Sequence, residues 1–115
     1  IEEKHMDVNA KYNFNQTALM LAARGGHLDV VKYLVEHGAD LNAETNTGQI
    51  ALMKAAKSRY IDVVKYLVEE KHMDVNAKDY YGRTALMLAA REGHLNVVKY
   101  LVEHGADLNA RNYLN

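Results

Sequence analysis

Six histidines, one serine and a scatter of basic and aromatic side chains are the residues of this chain that could do chemistry. The histidines fall at His5 and His72, His27 and His94, His37 and His104, which are three positions each seen twice. None forms a His-Glu-x-x-His or a short His-x-His pair, the spacings that would set two imidazoles on one zinc ion, so they read as structural and no metal is expected. Ser58 has no Gly-x-Ser-x-Gly frame and no phosphate-cradling glycine loop beside it. The absence of cysteine removes thiol catalysis, disulfides and thiolate metal sites. With no nucleophile, base and orienting partner to assemble, neither an enzyme nor a cofactor is expected. What remains is the chemistry of binding: the cations Arg24, Lys54, Lys57 and Arg91, and the aromatics Tyr12, Phe14, Tyr80, Tyr81 and Tyr113.

The elements that must position these groups are written in a repeat. VVKYLVEHGADLNA at Val30 to Ala43 returns letter for letter at Val97 to Ala110, and a copy one residue longer runs from Val63 to Ala77. The Asp opening each Asp-[Val/Leu]-Asn-Ala falls at Asp7, Asp40, Asp74 and Asp107, spacings of 33, 34 and 33 residues. A period near 33 marks a repeat array. Within one period, TALMLAAR from Thr17 is a short helix former that Gly25-Gly26 breaks. From His27 a second helix sets Leu28, Val31, Leu34 and Val35 on one face, with Asp29, Lys32 and Glu36 opposite. Gly38 ends it, and the polar stretch Asp40 to Gln49 reads as an extended turn. Neither helix could hide its apolar face alone, so the units must stack, and the pairs Ala22-Ala23, Ala55-Ala56 and Ala89-Ala90 would let neighbouring helices approach. The fold expected is all-α, an α-solenoid of antiparallel helix pairs linked by hairpin-like loops.

At 115 residues and 49% hydrophobic content the chain can bury one core. A net charge of −1 gives no general attraction to a polyanion, so nucleic acid is not an expected partner. No run approaches the roughly 18 apolar residues of a membrane helix, and the acidic start IEEKHMD lacks the apolar core of a signal peptide. An intracellular location, cytoplasmic or nuclear, is expected. Asn15-Gln16-Thr17 is formally a glycosylation sequon and is discounted on that ground.

The units closely resemble ankyrin repeats. In the third, the family pattern is carried by Asp79, Gly82, Thr84, Leu86, Ala89-Ala90, Gly93-His94, Val97-Val98, Leu101, Gly105-Ala106-Asp107 and Asn109. The resemblance implies one ankyrin domain over 1–115, with full repeats at 7–39, 40–73 and 74–106 and partial units at 1–6 and 107–115. Neither end shows a polar capping repeat, so a piece of a longer protein is expected. The Pro and His of the family's Thr-Pro-Leu-His box are replaced by Ala18 and Met20, Ala51 and Met53, Ala85 and Met87. The thioether is expected to fill the volume of the His that links repeats in the family. The middle unit departs furthest, with Ile50 for Thr, Arg59-Tyr60 for Gly-His and an extra residue within Glu70 to Met73. It should be the least regular, and Arg59 should strain its turn. The family also implies an asparagine hydroxylation motif, matched by Leu34 with Asn42 and Leu101 with Asn109 but broken by the insertion between Leu67 and Asn76.

Laid on residues 68–115, residues 1–48 differ at 13 positions, of which ten lie in two loop windows: Tyr12 to Gln16 against Asp79 to Arg83, and Glu44 to Gly48 against Arg111 to Asn115. Outer-face residues such as Lys32, Glu36 and His37 recur unchanged, and the charges there read as solvated, weakly paired neighbours. In the ankyrin family partners are held by the hairpin tips and the inner face of the first helices, where these windows fall. Exposed aromatics are typical anchors. The resemblance and the residues together single out Tyr12, Asn13, Phe14, Gln16, Arg24, Asn46, Thr47, Gln49, Lys54, Lys57, Tyr80, Tyr81, Arg83, Arg91 and Tyr113 as the partner-binding surface. The expected function is non-catalytic protein–protein recognition of a segment bearing acidic and apolar side chains, with a structural spacer as the alternative. A monomer is expected, with end-to-end self-association as the other arrangement the open ends allow.

Overall fold

The computed structural model describes residues 7–113; the partial unit expected at 1–6, and Leu114 and Asn115, lie outside them. Six α-helices follow one another: α1 (Ala18–Gly25), α2 (Leu28–Glu36), α3 (Ala51–Lys57), α4 (Ile61–Lys65), α5 (Ala85–Arg91) and α6 (Leu95–Glu103). Each odd helix packs on the even helix after it, while α1, α3 and α5 form one row and α2, α4 and α6 another. This is the all-α solenoid expected of an ankyrin array, with no strand among the described residues. The core runs along the stack through Leu19, Leu52, Val63, Leu67, Leu88, Val97 and Leu101, each no more than 1% exposed. Ala23, Ala55, Ala56 and Ala89 are wholly buried, so small side chains do bring the first row close, whereas Ala90 is exposed.

The dependence of each unit on its neighbour is visible at one repeated tyrosine. Tyr66 and Tyr100 are 6% exposed and Tyr33 60%. The first two lie against the unit before them, under Lys32 (5.6 Å to the Tyr66 ring centroid) and Lys65 (5.9 Å to the Tyr100 ring). The Tyr100 hydroxyl also donates to Glu69 at 2.7 Å, and burial together with that carboxylate raises its pKa far above the usual phenol value. The outer face is therefore not the set of weakly paired i,i+4 charges expected from the sequence. Lys32 and Lys65 lie over tyrosine rings of the next unit, because a flexible ammonium reaches a fixed ring face at little entropic cost. His37 and His104 recur with a shared bond, each donating from Nδ1 to the carbonyl four residues before it, Tyr33 at 2.8 Å and Tyr100 at 2.9 Å.

Methionine does fill the place of the family's histidine. Met20 and Met53 are 1% exposed. Thr17 caps α1 by accepting from Met20 N (3.3 Å), while its own N–H meets the Met20 sulfur at 3.4 Å, a weak thioether version of a capping box. Thr84 caps α5 in the same way, and Ile50, lacking a hydroxyl, leaves α3 without a side-chain cap.

The middle unit is irregular where the sequence departs. The extra residue widens the end of the second helix into a π turn over Tyr66–Glu70, with Lys71 N–H bonding the Tyr66 carbonyl five residues back. His72 then takes φ 56°, in the place of Gly38 and Gly105. One inter-repeat link is lost with it. Asn9 donates to the Gly38 carbonyl (3.1 Å) and accepts from Asp40 N–H (2.6 Å), and Asn76 does the same to Gly105 and Asp107 (3.0 and 2.7 Å). Among the described residues Asn42 makes no such bridge, because the shifted backbone no longer presents the matching carbonyl and N–H.

Arg59 takes φ 66° in the turn where Gly26 and Gly93 have 75° and 76°. A glycine is obligatory at the first of these, because a Cβ on Gly26 would lie 2.3 Å from the Tyr60 ring. At the second turn the aligned residue is His94, a smaller ring drawn to the Lys57 carbonyl (2.9 Å), which leaves room for the Arg59 side chain. Only the backbone strain remains. Arg59→Gly is expected to raise the unfolding free energy by about 0.5–1 kcal/mol in urea titration; no gain would show that the Arg side chain offsets its own strain.

Candidate functional site

The loops between units project beside the first row of helices. Each closes on itself through a backbone bond across its ends, Tyr12 N–H to the Gln16 carbonyl (2.7 Å), Thr45 to Gln49 (3.0 Å) and Asp79 to Arg83 (2.9 Å), with tighter turn bonds inside it. Successive tips are joined by another, from Asn46 N–H to the Phe14 carbonyl (3.0 Å), Tyr80 to Thr47 (2.9 Å) and Tyr113 to Tyr81 (2.8 Å). The tips thus form a ladder one bond wide, which fixes the spacing of the side chains they carry.

Two of the aromatics expected as partner anchors also brace this ladder with their rings. The Tyr80 ring rests on Gly48, so closely that a Cβ there would stand 2.4 Å from it, and its hydroxyl donates to Glu44 Oε1 at 2.7 Å. That bond to a carboxylate raises the Tyr80 phenol above its ordinary pKa. Tyr113 rests on Gly82 in the same way, with Lys78 5.6 Å from its ring centroid. Both rings keep an exposed face, at 59% and 66%, but their first role is to brace neighbouring loops. Gln49 is a clearer correction. It is 5% exposed, and its Nε2 donates to Asp79 Oδ2 at 3.3 Å, so its side chain ties two loops together and does not stand on the surface as expected.

Asp79 is the residue that sequence reasoning missed. Its carboxylate accepts from Tyr81 N–H and Arg83 N–H (both 2.9 Å), from Arg83 Nε (2.8 Å) and from Gln49 Nε2. Burial acts to raise its pKa, and these bonds outweigh it and hold the carboxyl below its usual value. An Asp three residues before a Gly in a tight turn was the signal that could have found it. Arg83, expected to face a partner, is spent on this carboxylate, and its guanidinium lies 5.0 Å from the Tyr81 ring centroid. Tyr81 itself stays 44% exposed.

The structure does bring together Phe14, Gln16, Asn46, Thr47 and Lys54. With Thr45 they line a cleft of about 220 Å³ between the first and second loops, over α3. Phe14, at the tip of a turn over Asn13–Asn15, is the most exposed of the large apolar residues at 72%. It stands there because Phe14 and Asn15 both take positive φ, 64° and 60°, where the later tips use a single glycine. Asn13 is exposed beside it. Lys54 is half-buried, and its pKa is lowered by burial first, then by the nearby charges of Lys57 and Arg24. These three cations form the basic patch expected on the first-helix row, and no acidic side chain forms an ion pair with any of them among the described residues. Arg91 does not join them; it lies 3.7 Å from Glu92. Tyr12 is also set apart, in a more apolar cleft with Val8, Ala18, Tyr33, Leu34 and His37 at the outer edge of the first unit.

No curated protein matches the chain. The family model described as ankyrin repeats (3 copies) matches residues 1–79 and again residues 45–112, which together span nearly the whole sequence. With the stacked helix pairs and the laddered loops in view, the chain belongs to the ankyrin repeat family.

Proposed function

We propose that this domain is a non-catalytic protein-binding module whose contact surface is the tips of the first three loops and the adjoining face of α1 and α3. Ankyrin repeats are in general protein–protein interaction modules, and this reading places the contact on particular residues. The observation that carries it is the meeting of an exposed phenylalanine, Phe14, with Lys54 and the neighbouring Arg24 and Lys57, none of which is paired with an acid among the described residues. An unpaired, partly desolvated cation beside a bare ring does nothing for stability, and it suits a partner segment carrying acidic and apolar side chains. Tyr81 extends the surface along the ladder.

The test uses residues that the fold does not need. Phe14→Ser combined with Tyr81→Ser is expected to weaken capture of a partner at least tenfold in affinity purification with quantitative mass spectrometry, leaving the circular dichroism unchanged. Tyr80 is kept out of this variant because its loss would loosen the second and third loops. A spacer without a partner of its own would give the same captured set for both proteins.

A further inference from the structure

The third loop shows what the cleft of the second one lacks. Position for position, Thr45 stands where the third loop has Asp79, Thr47 where it has Tyr81, and Lys54 where α5 has Leu88. In the third loop Asp79 is 3% exposed and supplies a buried carboxylate to the Gln49 amide, while Leu88 is 1% exposed. In the second loop the smaller Thr47 leaves the cleft open and Lys54 points charge at it. Gln16, which matches Gln49, has no carboxylate to meet. Its side-chain carbonyl oxygen is buried and accepts no hydrogen bond among the described residues. An orphan acceptor is relieved when the amide turns to put its Nε2 donor in that place, and with Lys54 the cleft then offers two donors and has no carboxylate among its lining residues.

We infer that the cleft between the first and second loops is a subsite for one acidic side chain, Asp or Glu, of a bound peptide segment, with Phe14 covering its apolar neighbour. This rests on the binding reading above and assigns the chemistry of one position within it. The carboxylate accepts from Lys54 Nζ and from Gln16 Nε2, whose amide turns about a soft terminal torsion; Thr47 can add its hydroxyl. Arg24 and Lys57 strengthen the local field without needing contact. The subsite is unique in this array because Leu21 and Leu88 replace Lys54 in the sister units, and Gln49 and Arg83 are already bonded to Asp79.

A random 12-residue peptide library displayed on phage and selected on the folded domain tests this. The expected result is a set of binders sharing one acidic position next to an apolar one. In a synthetic copy of the best binder, changing that acid to its amide should lower affinity about tenfold or more. The same change should cost nothing against Lys54→Leu, which carries the residue of the sister units and should fold as they do. Thr47→Tyr, which refills the cleft, should also abolish the acid preference, while Lys99→Leu on the outer face, equal in net charge to Lys54→Leu, should preserve it. A loss that persists undiminished in Lys54→Leu overturns the subsite and leaves the wider binding reading standing, as do binders with no shared acid. Failure to enrich any peptide overturns both.

Discussion

Asp79→Ala is expected to lower the unfolding free energy by about 3 kcal/mol, more than any loop substitution that touches only the surface. The carboxylate is fully buried at its side chain and holds four donors, two of them backbone N–H groups of its own loop and one from Gln49 in the preceding unit. Its removal leaves those donors partly enclosed with nothing to accept them. The same residue sets a pH dependence. Its folded pKa lies below that of the unfolded chain, so its contribution is complete above about pH 4 and fades as the pH falls through the folded value. Urea titrations of the two proteins should thus differ most at pH 7 and converge toward pH 2. A gap that stays constant to low pH would mean that packing, and not charge, accounts for the effect.

Gly48→Ala is expected to cost about 2–3 kcal/mol, an effect of almost the same size from a single added methyl group. Two separate causes add. At φ +80° an L side chain strains the backbone, by about 1 kcal/mol, and the new Cβ would enter the Tyr80 ring at 2.4 Å. A double-mutant cycle separates them: in a Tyr80→Ala background the steric part disappears, and Gly48→Ala should then cost only about 1 kcal/mol. An unchanged cost in that background would show that the ring does not depend on this glycine. The contact also explains why Tyr80 is a poor choice for testing partner binding, since its effect on the loops cannot be separated from its effect on a ligand.

Much of the fold was legible because a repeat states its own architecture. Residues that occur at one spacing, such as Val31, Val64 and Val97, or the glycines that end the helices, have the same job in each unit, and that job follows from local physics: helix periodicity, a positive φ, a capping hydroxyl. The disruption of the middle unit was equally legible, since an extra residue must go somewhere and Arg59 occupies a turn built for glycine. The site was less so. Tyr80, Tyr81 and Phe14 are all aromatic residues in polar loops, and nothing in their sequence neighbourhoods says that Tyr80 rests on a glycine 32 residues earlier while Phe14 stays 72% exposed at the edge of a cleft. The place of Lys32 on the outer face likewise reads as plain exposure until it is seen over the ring of Tyr66.

The sequence by itself determined the repeat, the helices and their caps, and the stacking that their one-sided apolar faces require. Those are properties of short stretches and of their spacing, and the ankyrin family match follows from the same letters. Only the tertiary structure decided which polar groups are spent and which remain free: Gln49 on Asp79, Arg83 on the same carboxylate, Arg91 against Glu92, but Lys54 without an acid. The Gln49–Asp79 pairing is settled between residues 30 positions apart, by the register in which one loop meets the next, while Arg83 and Arg91 find their acids within the same stretch of chain. A single hydrogen bond between tips sets that register, and no local pattern records it.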